Sequence, residues 1–200
     1  MILLLALSVT FCLSAASKVV TTCLEQATDQ VGNIASGTPV NDYPLLVEEE
    51  GKNWYMEMHS VRMCKDQFNN LKGMVSQMQK VGELFTEFVT LNEFGNLYYN
   101  QWETYTCVNL TMGSNEHIVK IELKHSDTAI HHMVLTTDTG RTFTVGRLYG
   151  TDTDAVLEFT PDEPLVGFWG TDGSDWFSSL GGITYKKGCR IGQIIEDPAV

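Results

Sequence analysis

Basic residues are scarce in this sequence. It holds 13 lysines and arginines against 25 aspartates and glutamates, a net charge of −12. Such a field repels phosphate, which argues against nucleic acid and anionic membranes as partners. Long apolar runs are scarce too. Beyond residues 1–16 none approaches the ~18 apolar residues of a spanning helix, so membrane insertion is not expected. There is no CxxC pair to nucleate a zinc site. His125, His131 and His132 crowd one hairpin, but strand alternation sends His131 and His132 to opposite faces. His125 with Asp127 then lacks a third ligand. Asp152-Thr153-Asp154 lacks the glycine and distal glutamate of a calcium-binding EF-hand and reads as a solvated loop. No nucleophile elbow surrounds Ser178 or Ser179, and Gly181-Gly182 does not open a phosphate-binding helix. Carboxylate pairs for glycoside hydrolysis need a specific separation, which composition cannot supply. These absences leave no positive argument for an enzyme, a cofactor or a metal.

What is present begins with MILLLALSVTFCLSAA, apolar, free of charged side chains and followed by small residues. Residues 1–16 are expected to be a secretory signal peptide, which makes the protein secreted and extracellular. Cys12 lies within that segment; Cys23, Cys64, Cys107 and Cys189 remain. An even count in an exported chain argues for two disulfides, with three pairings open. Cys23–Cys64 with Cys107–Cys189 is preferred, because each bond then staples one compositional region. Asn109-Leu110-Thr111 is an N-glycosylation sequon and places Asn109 at the surface.

Two such regions are expected. In residues 17–103, apolar Met58, Val61, Phe68, Leu71, Val75, Met78, Phe85 and Phe88 recur at spacings that predict one long helix from Trp54. Glu48, Glu49 and Glu50 stand just ahead, where carboxylates favour a helix start. A shorter helix is predicted from about Val19 to Val31, with a loop between. Residues 104–190 change to a period of two. TYTCVNLTM, HIVKIELKH, AIHHMVLTT, RTFTVG, AVLEFT, PLVGFWG and WFSSLGGITY read as seven strands separated by turn residues. Residues 191–200 read as a C-terminal tail.

The succession IVKIELKHSDTAIHHMVLTTDTGRTFTVG and AVLEFTPDEPLVGFWGTDGSDWFSSLGGITY resembles the C-terminal part of jacalin-like lectin domains. It is most similar to the zymogen granule lectin type of animals. The resemblance spans about residues 116–186. It implies a mainly β fold, a β-prism of antiparallel sheets, here with an N-terminal helical extension (α+β). The family's first strands, with their glycine-rich sugar loop, have no evident match. In the family a GxxxD loop between the last two strands presents backbone N–H groups and a carboxylate to sugar hydroxyls. Its counterpart here is Asp172, Gly173, Ser174, Asp175, Trp176 and Phe177. Registered on the final strand, the family's aspartate falls on Ser178 or Ser179; registered on Gly173, on Phe177. Asp172 or Asp175 is then the available carboxylate, and Trp176 the stacking surface. A second, variable loop of the family maps to Ser126, Asp127 and Thr128.

The resemblance implies a secreted carbohydrate-binding protein that recognises glycans or glycoproteins without a metal. One shallow site binds weakly, so avidity calls for several sites or a homo-oligomer. The competing expectation is a secreted structural or interaction protein of extracellular matrix, egg coat or granule that keeps the scaffold without binding sugar. A membrane-active toxin is a third, opposed by the low basic content of the helical stripe.

Overall fold

The computed structural model describes residues 17–20, 22–26, 30–32, 37–51, 54–83, 86–95, 97, 105–173, 177–189, 191–192 and 194–196. The described elements, in chain order, are β1 (Ser17–Val19), β2 (Leu24–Glu25), β3 (Val31–Gly32), β4 (Thr38–Asn41) and α1 (Tyr43–Glu49). There follow β5 (Trp54–Lys65), β6 (Leu71–Gly82), β7 (Thr86–Gly95), β8 (Thr106–Thr111), β9 (Ile118–His125) and β10 (Ile130–Thr137). The chain closes with β11 (Thr142–Gly146), β12 (Thr153–Glu158), β13 (Leu165–Asp172), β14 (Phe177–Tyr185) and β15 (Ile194–Glu196).

Three antiparallel sheets enclose one core. The first has the order β2-β14-β13-β4 with β3 also on β14, the second β7-β6-β5-β8, the third β11-β10-β9-β12. Their inward side chains meet in a cluster that includes Met63, Met74, Phe94, Leu110, Ile121, Met133, Phe168 and Leu180, with Phe94 and Phe168 edge to face. This is a β-prism, and all seven strands expected after residue 103 are among its elements.

The helices expected in residues 17–103 are corrected. The stretch from Trp54 forms β5, β6 and β7, and the stretch around Cys23 forms β2 and β3. The physical reason is a pair of bulges. On β5 the buried methionines and valine stand at Met56 and Met58, then Val61 and Met63, with Glu57 and Cys64 buried as well. The pairing of β5 with β6 shifts register between Met58 and Ser60. One extra residue at that point turns a spacing of two into three, which mimics a helix in the sequence. The β6–β7 pairing shifts again between Val75 and Gln77, and buried Leu91 and Phe94 stand three apart. Phe68 and Phe88, two members of the supposed stripe, are exposed, and Phe85 lies outside the described residues. Glu48 and Glu49 end α1 rather than opening a helix, and Glu50 is its C-cap. Strand β8 pairs with β5, so residues on both sides of position 103 share one sheet.

The disulfide pairing is corrected as well. Cys64 joins Cys107 and Cys23 joins Cys189. Cys64 and Cys107 face each other in the β5–β8 register, which only becomes visible once the helix is replaced by a strand. Cys23 and Cys189 meet because β14 returns beside β2, where Lys186 N–H reaches the Cys23 carbonyl. Part of the expected tail is β15, paired with β1. The expected signal peptide lies outside the described residues.

Asp42 stitches the sheets together. It is fully buried, and its carboxylate accepts N–H bonds from Phe168 of β13 (2.9 Å) and from the Asn92 backbone and side chain of β7 (2.9 and 3.0 Å). Burial, which outweighs these three bonds, pushes its pKa up to about 6.

Candidate functional site

Strand β13 ends at Asp172 and β14 begins at Phe177, so residues 173–176 connect the two strands. Ser174, Asp175 and Trp176 lie outside the described residues. Asp172 and Gly173 are half-buried. The Asp172 carboxylate accepts the backbone N–H of Gly95 at 2.8 Å, from the last residue of β7. Burial, with repulsion from Glu93, pushes its pKa up to about 6 against the opposing pull of that N–H. Phe177 is corrected as a ligand contact: it has no exposed surface and packs in the core, as the first residue of β14, which is buried along its whole length.

Ser178 and Ser179, where one register placed the family's aspartate, are also fully buried. Their hydroxyls meet Thr171 Oγ1 (3.0 and 2.5 Å), and Ser179 Oγ accepts the Thr171 N–H at 3.0 Å. The Gln30 side chain donates to Ser179 as well. A carboxylate at either position would sit in this hydroxyl ladder rather than at the surface.

The sequence reading missed a second segment at the same end. Strand β3 pairs with β14 and β4 with β13, so residues 33–36 connect strands on either side of the final pair. Gly32 and Gly37 flank them with φ of 102° and 109°. A Cβ on Gly37 would stand 2.3 Å from the Asp172 carbonyl oxygen, and one on Gly32 would stand 2.2 Å from that of Ser178. Only glycine permits both the left-handed backbone and this approach. Strands β3 and β4 thus lie beside the final pair, in a stretch where a helix end and a loop were expected. The available signal was the stretch GNIASG, in which two glycines bracket four residues.

The second candidate loop, residues 126–129, lies between β9 and β10. Asp127 and Thr128 are exposed. Ser126 Oγ accepts the N–H groups of Thr128 (3.2 Å) and Ala129 (3.3 Å), which holds the turn closed. Thr128 lines a cleft of about 220 Å³ with Asn70, Lys72, His131 and Tyr149. The two candidate loops lie at one end of the prism. A Cβ on Gly95, whose N–H binds Asp172, would stand 2.1 Å from the carbonyl oxygen of Lys72, itself a wall of the cleft.

Asp152 is not solvated as expected. Its side chain is 1% exposed and holds His131 Nδ1 at 2.9 Å, while Asp154 pairs with Lys124. Among the described residues no three His, Cys, Asp or Glu side chains are grouped to hold a metal ion. Asn109 is exposed on β8.

Three antiparallel sheets around one core, with connecting loops gathered at an end, define the β-prism class of lectin folds. The family model of the jacalin-like lectin domain matches residues 47–183, and the chain belongs to that family. The match is to the family at large and does not single out the animal zymogen granule type. The fold is similar to wild-type Malaysian banana lectin (TM-score 0.55, 16% identity, 87% of this chain and 100% of that one). It is also similar to a mannose-binding jacalin-related lectin from Ananas comosus (0.55, 12%, 80% and 96%). A third likeness is to artocarpin, solved with mannotriose (0.56, 14%, 82% and 97%). Comparison with curated protein sequences finds no match.

Proposed function

We propose that this protein is a secreted lectin that binds glycans without catalysis and without a metal, through the loops at the Asp172 end of the prism. The observation that carries this reading is the seating of Asp172. Its backbone is pressed by Gly37 and its carboxylate is fixed by Gly95, so a half-buried acceptor is held beside two loop segments. A carboxylate accepts from two sugar hydroxyls at once, and fixed acceptors bind with less entropic cost than mobile ones. Asp175 and Trp176, in the same loop, supply a second carboxylate and a stacking ring. The ligands are oligosaccharides of glycoproteins. Mannose-containing chains come first for testing, because the Ananas comosus lectin is mannose-binding and artocarpin was solved with mannotriose. A homo-oligomer supplies avidity in this proposal, as one shallow site does not.

The test is a glycan array with the disulfide-intact protein, with and without chelator, repeated with Asp172→Ala. Selective binding that survives chelator and is lost in the variant is the expected result. Binding untouched by Asp172→Ala overturns the site. The second reading, a secreted scaffold that binds protein rather than sugar, draws on the buried hydroxyls of Ser178 and Ser179, where one register of the resemblance puts the family's carboxylate. No array binding from a cooperatively folded sample would favour it.

A further inference from the structure

Ser126, His131 and Asp152 form a chain of hydrogen bonds beside the cleft at Thr128. Ser126 lies half-buried in the turn from β9 to β10, with its Oγ 3.5 Å from His131 Nε2. His131 Nδ1 stands 2.9 Å from Oδ1 of Asp152, a residue of the connection from β11 to β12. The Asp152 side chain is 1% exposed, and its Oδ2 accepts the Tyr149 N–H at 3.3 Å. Tyr149 is itself pinned. Its hydroxyl crosses to donate to Asn70 Oδ1 at 2.6 Å, and its ring packs against that of His131 with centroids 4.7 Å apart. The imidazole is thus held by a buried carboxylate and an anchored aromatic ring.

The proton count follows from these partners. Asp152 as acceptor puts the imidazole proton on Nδ1 and leaves Nε2 an acceptor. Ser126 Oγ accepts the N–H groups of Thr128 (3.2 Å) and Ala129 (3.3 Å), so both its lone pairs are taken and its own proton remains to be donated. Nε2 receives it, in competition with Thr128 Oγ1 at 3.1 Å. A hydroxyl, an imidazole in this tautomer and a buried carboxylate are the parts of an activated serine nucleophile.

We propose that these three residues are a second site, one that transfers short acyl groups from esters to water. It is separate from glycan binding at Asp172, which involves no catalysis. Ser126 is the nucleophile, His131 the general base and then acid, and Asp152 the residue that positions His131. Ser126 Oγ bonds to the ester carbonyl carbon while its proton passes to Nε2, and the carbonyl π pair moves to oxygen. The adduct collapses, the bond to the ester oxygen breaks, and the proton on Nε2 goes to the leaving alcohol. Water then adds to the acyl carbon and gives a proton to Nε2. The Oγ–carbon bond breaks, Oγ recovers that proton, and a carboxylic acid leaves. The N–H groups of Thr128 and Ala129, already aimed at Oγ, stabilise the charge that develops beside it.

The cleft supplies the substrate class. His131, Thr128 and Tyr149 line it over an apolar floor of Leu71, Ala129 and Ile130. Its volume, about 220 Å³, is below the roughly 300–1,000 Å³ of pockets for drug-sized ligands and suits a short acyl chain. Two cations stand beside it. Lys72 is paired with Asp66 at 3.6 Å, and the Arg147 guanidinium stacks on Tyr149, 5.2 Å from the ring centroid. Both favour the oxyanion of the adduct over the neutral ester.

The experiment uses the disulfide-intact protein with p-nitrophenyl acetate in large excess and, separately, with an alkyl fluorophosphonate, whose phosphorus bonds to an activated serine as fluoride leaves. Sustained nitrophenolate release above that of Ser126→Asn is expected, together with a phosphonate mass on the peptide that carries Ser126. Ser126→Asn removes the nucleophile and keeps a side-chain acceptor for the Thr128 and Ala129 N–H groups, so the turn stays closed. Asp152→Asn should lower kcat by about tenfold or more with KM little changed, because an amide there favours the wrong imidazole tautomer. Thr128→Val, which removes the competing hydroxyl, should label no more slowly than wild type, and it carries the test if the Asp152 variant fails to fold. Release equal to that of Ser126→Asn overturns the proposal. So does a single release per molecule without further turnover, or a phosphonate absent from Ser126.

Discussion

Asp172 binds the backbone N–H of Gly95 across two sheets, so its carboxylate is both the end of β13 and the brace of β7. Its pKa of about 6 makes any glycan contact through it depend on pH. At pH 5 only about a tenth of the molecules carry the ionised form. Glycan retention is expected to fall from pH 7 to pH 5 and to recover on return. Asp172→Asn should bind weakly and lose that dependence. Retention measured on an immobilised ligand across this range decides it, and a flat wild-type profile counts against an Asp172 carboxylate contact.

Glu116 behaves in the opposite sense. Arg141 above all, then Thr139, Gly113 and Thr137, donate to its buried carboxylate and hold its pKa far below the ordinary 4.5. The unfolded chain releases this proton near 4.5, the folded chain much lower. The stabilisation is therefore complete above pH 4.5 and is lost as pH falls below it. Glu116→Gln is expected to cost about 2–3 kcal/mol at neutral pH, the worth of hydrogen bonds to a charged group. Urea unfolding at pH 7 and pH 3 should show that difference shrinking at the lower pH.

The two disulfides should differ in weight. Cys23–Cys189 closes a span of 166 residues and Cys64–Cys107 one of 43. Loop-closure entropy alone gives about 5 and about 4 kcal/mol. Replacing Cys23 and Cys189 by serine should lower the denaturation midpoint more than replacing the inner pair. A non-reduced peptide map should recover Cys23 linked to Cys189; Cys23 linked to Cys64 would refute the fold at that point.

Gly37→Ala tests the glycine segment. Its left-handed backbone and the 2.3 Å approach to the Asp172 carbonyl leave no room for a methyl group. A destabilisation of at least about 1–2 kcal/mol is expected from the backbone alone. In a chain of this size each kcal/mol lowers the melting temperature by about 2–4 °C. Glycan retention should drop with it, because Asp172 must shift. An unchanged melt would mean that the β3–β4 segment is not pressed on β13.

The later half of the fold was legible because its strands are short and its turns are punctuated, and because strands such as β9 and β10 largely alternate. Ile121 and Leu123 of β9 point inward while Lys120, Glu122 and Lys124 stay outside the core cluster. The earlier half was not. Bulges near Met58 and Val75 broke the alternation, and residues favourable to helices, Met, Glu and Gln, filled it. The same misreading hid the Cys64–Cys107 register. At the site, Asp172 and Thr128 could be placed from their loops. Gly37, Gly95 and Tyr149 could not, because their roles exist only across sheets. Phe177 was misassigned because the sequence does not show where the loop ends and β14, buried along its whole length, begins.

The pairing of β1 with β15, backed by Cys23–Cys189, has a mechanical consequence. A pull applied at Ser17 and Glu196, which face each other, first unzips the three-residue ladder between these strands. It then meets a covalent link, and the 166-residue span inside that link is shunted from the tension. The prism, with its Asp172 loops at the far end of β13 and β14, would stay folded under a force that extends only the segments outside the bond.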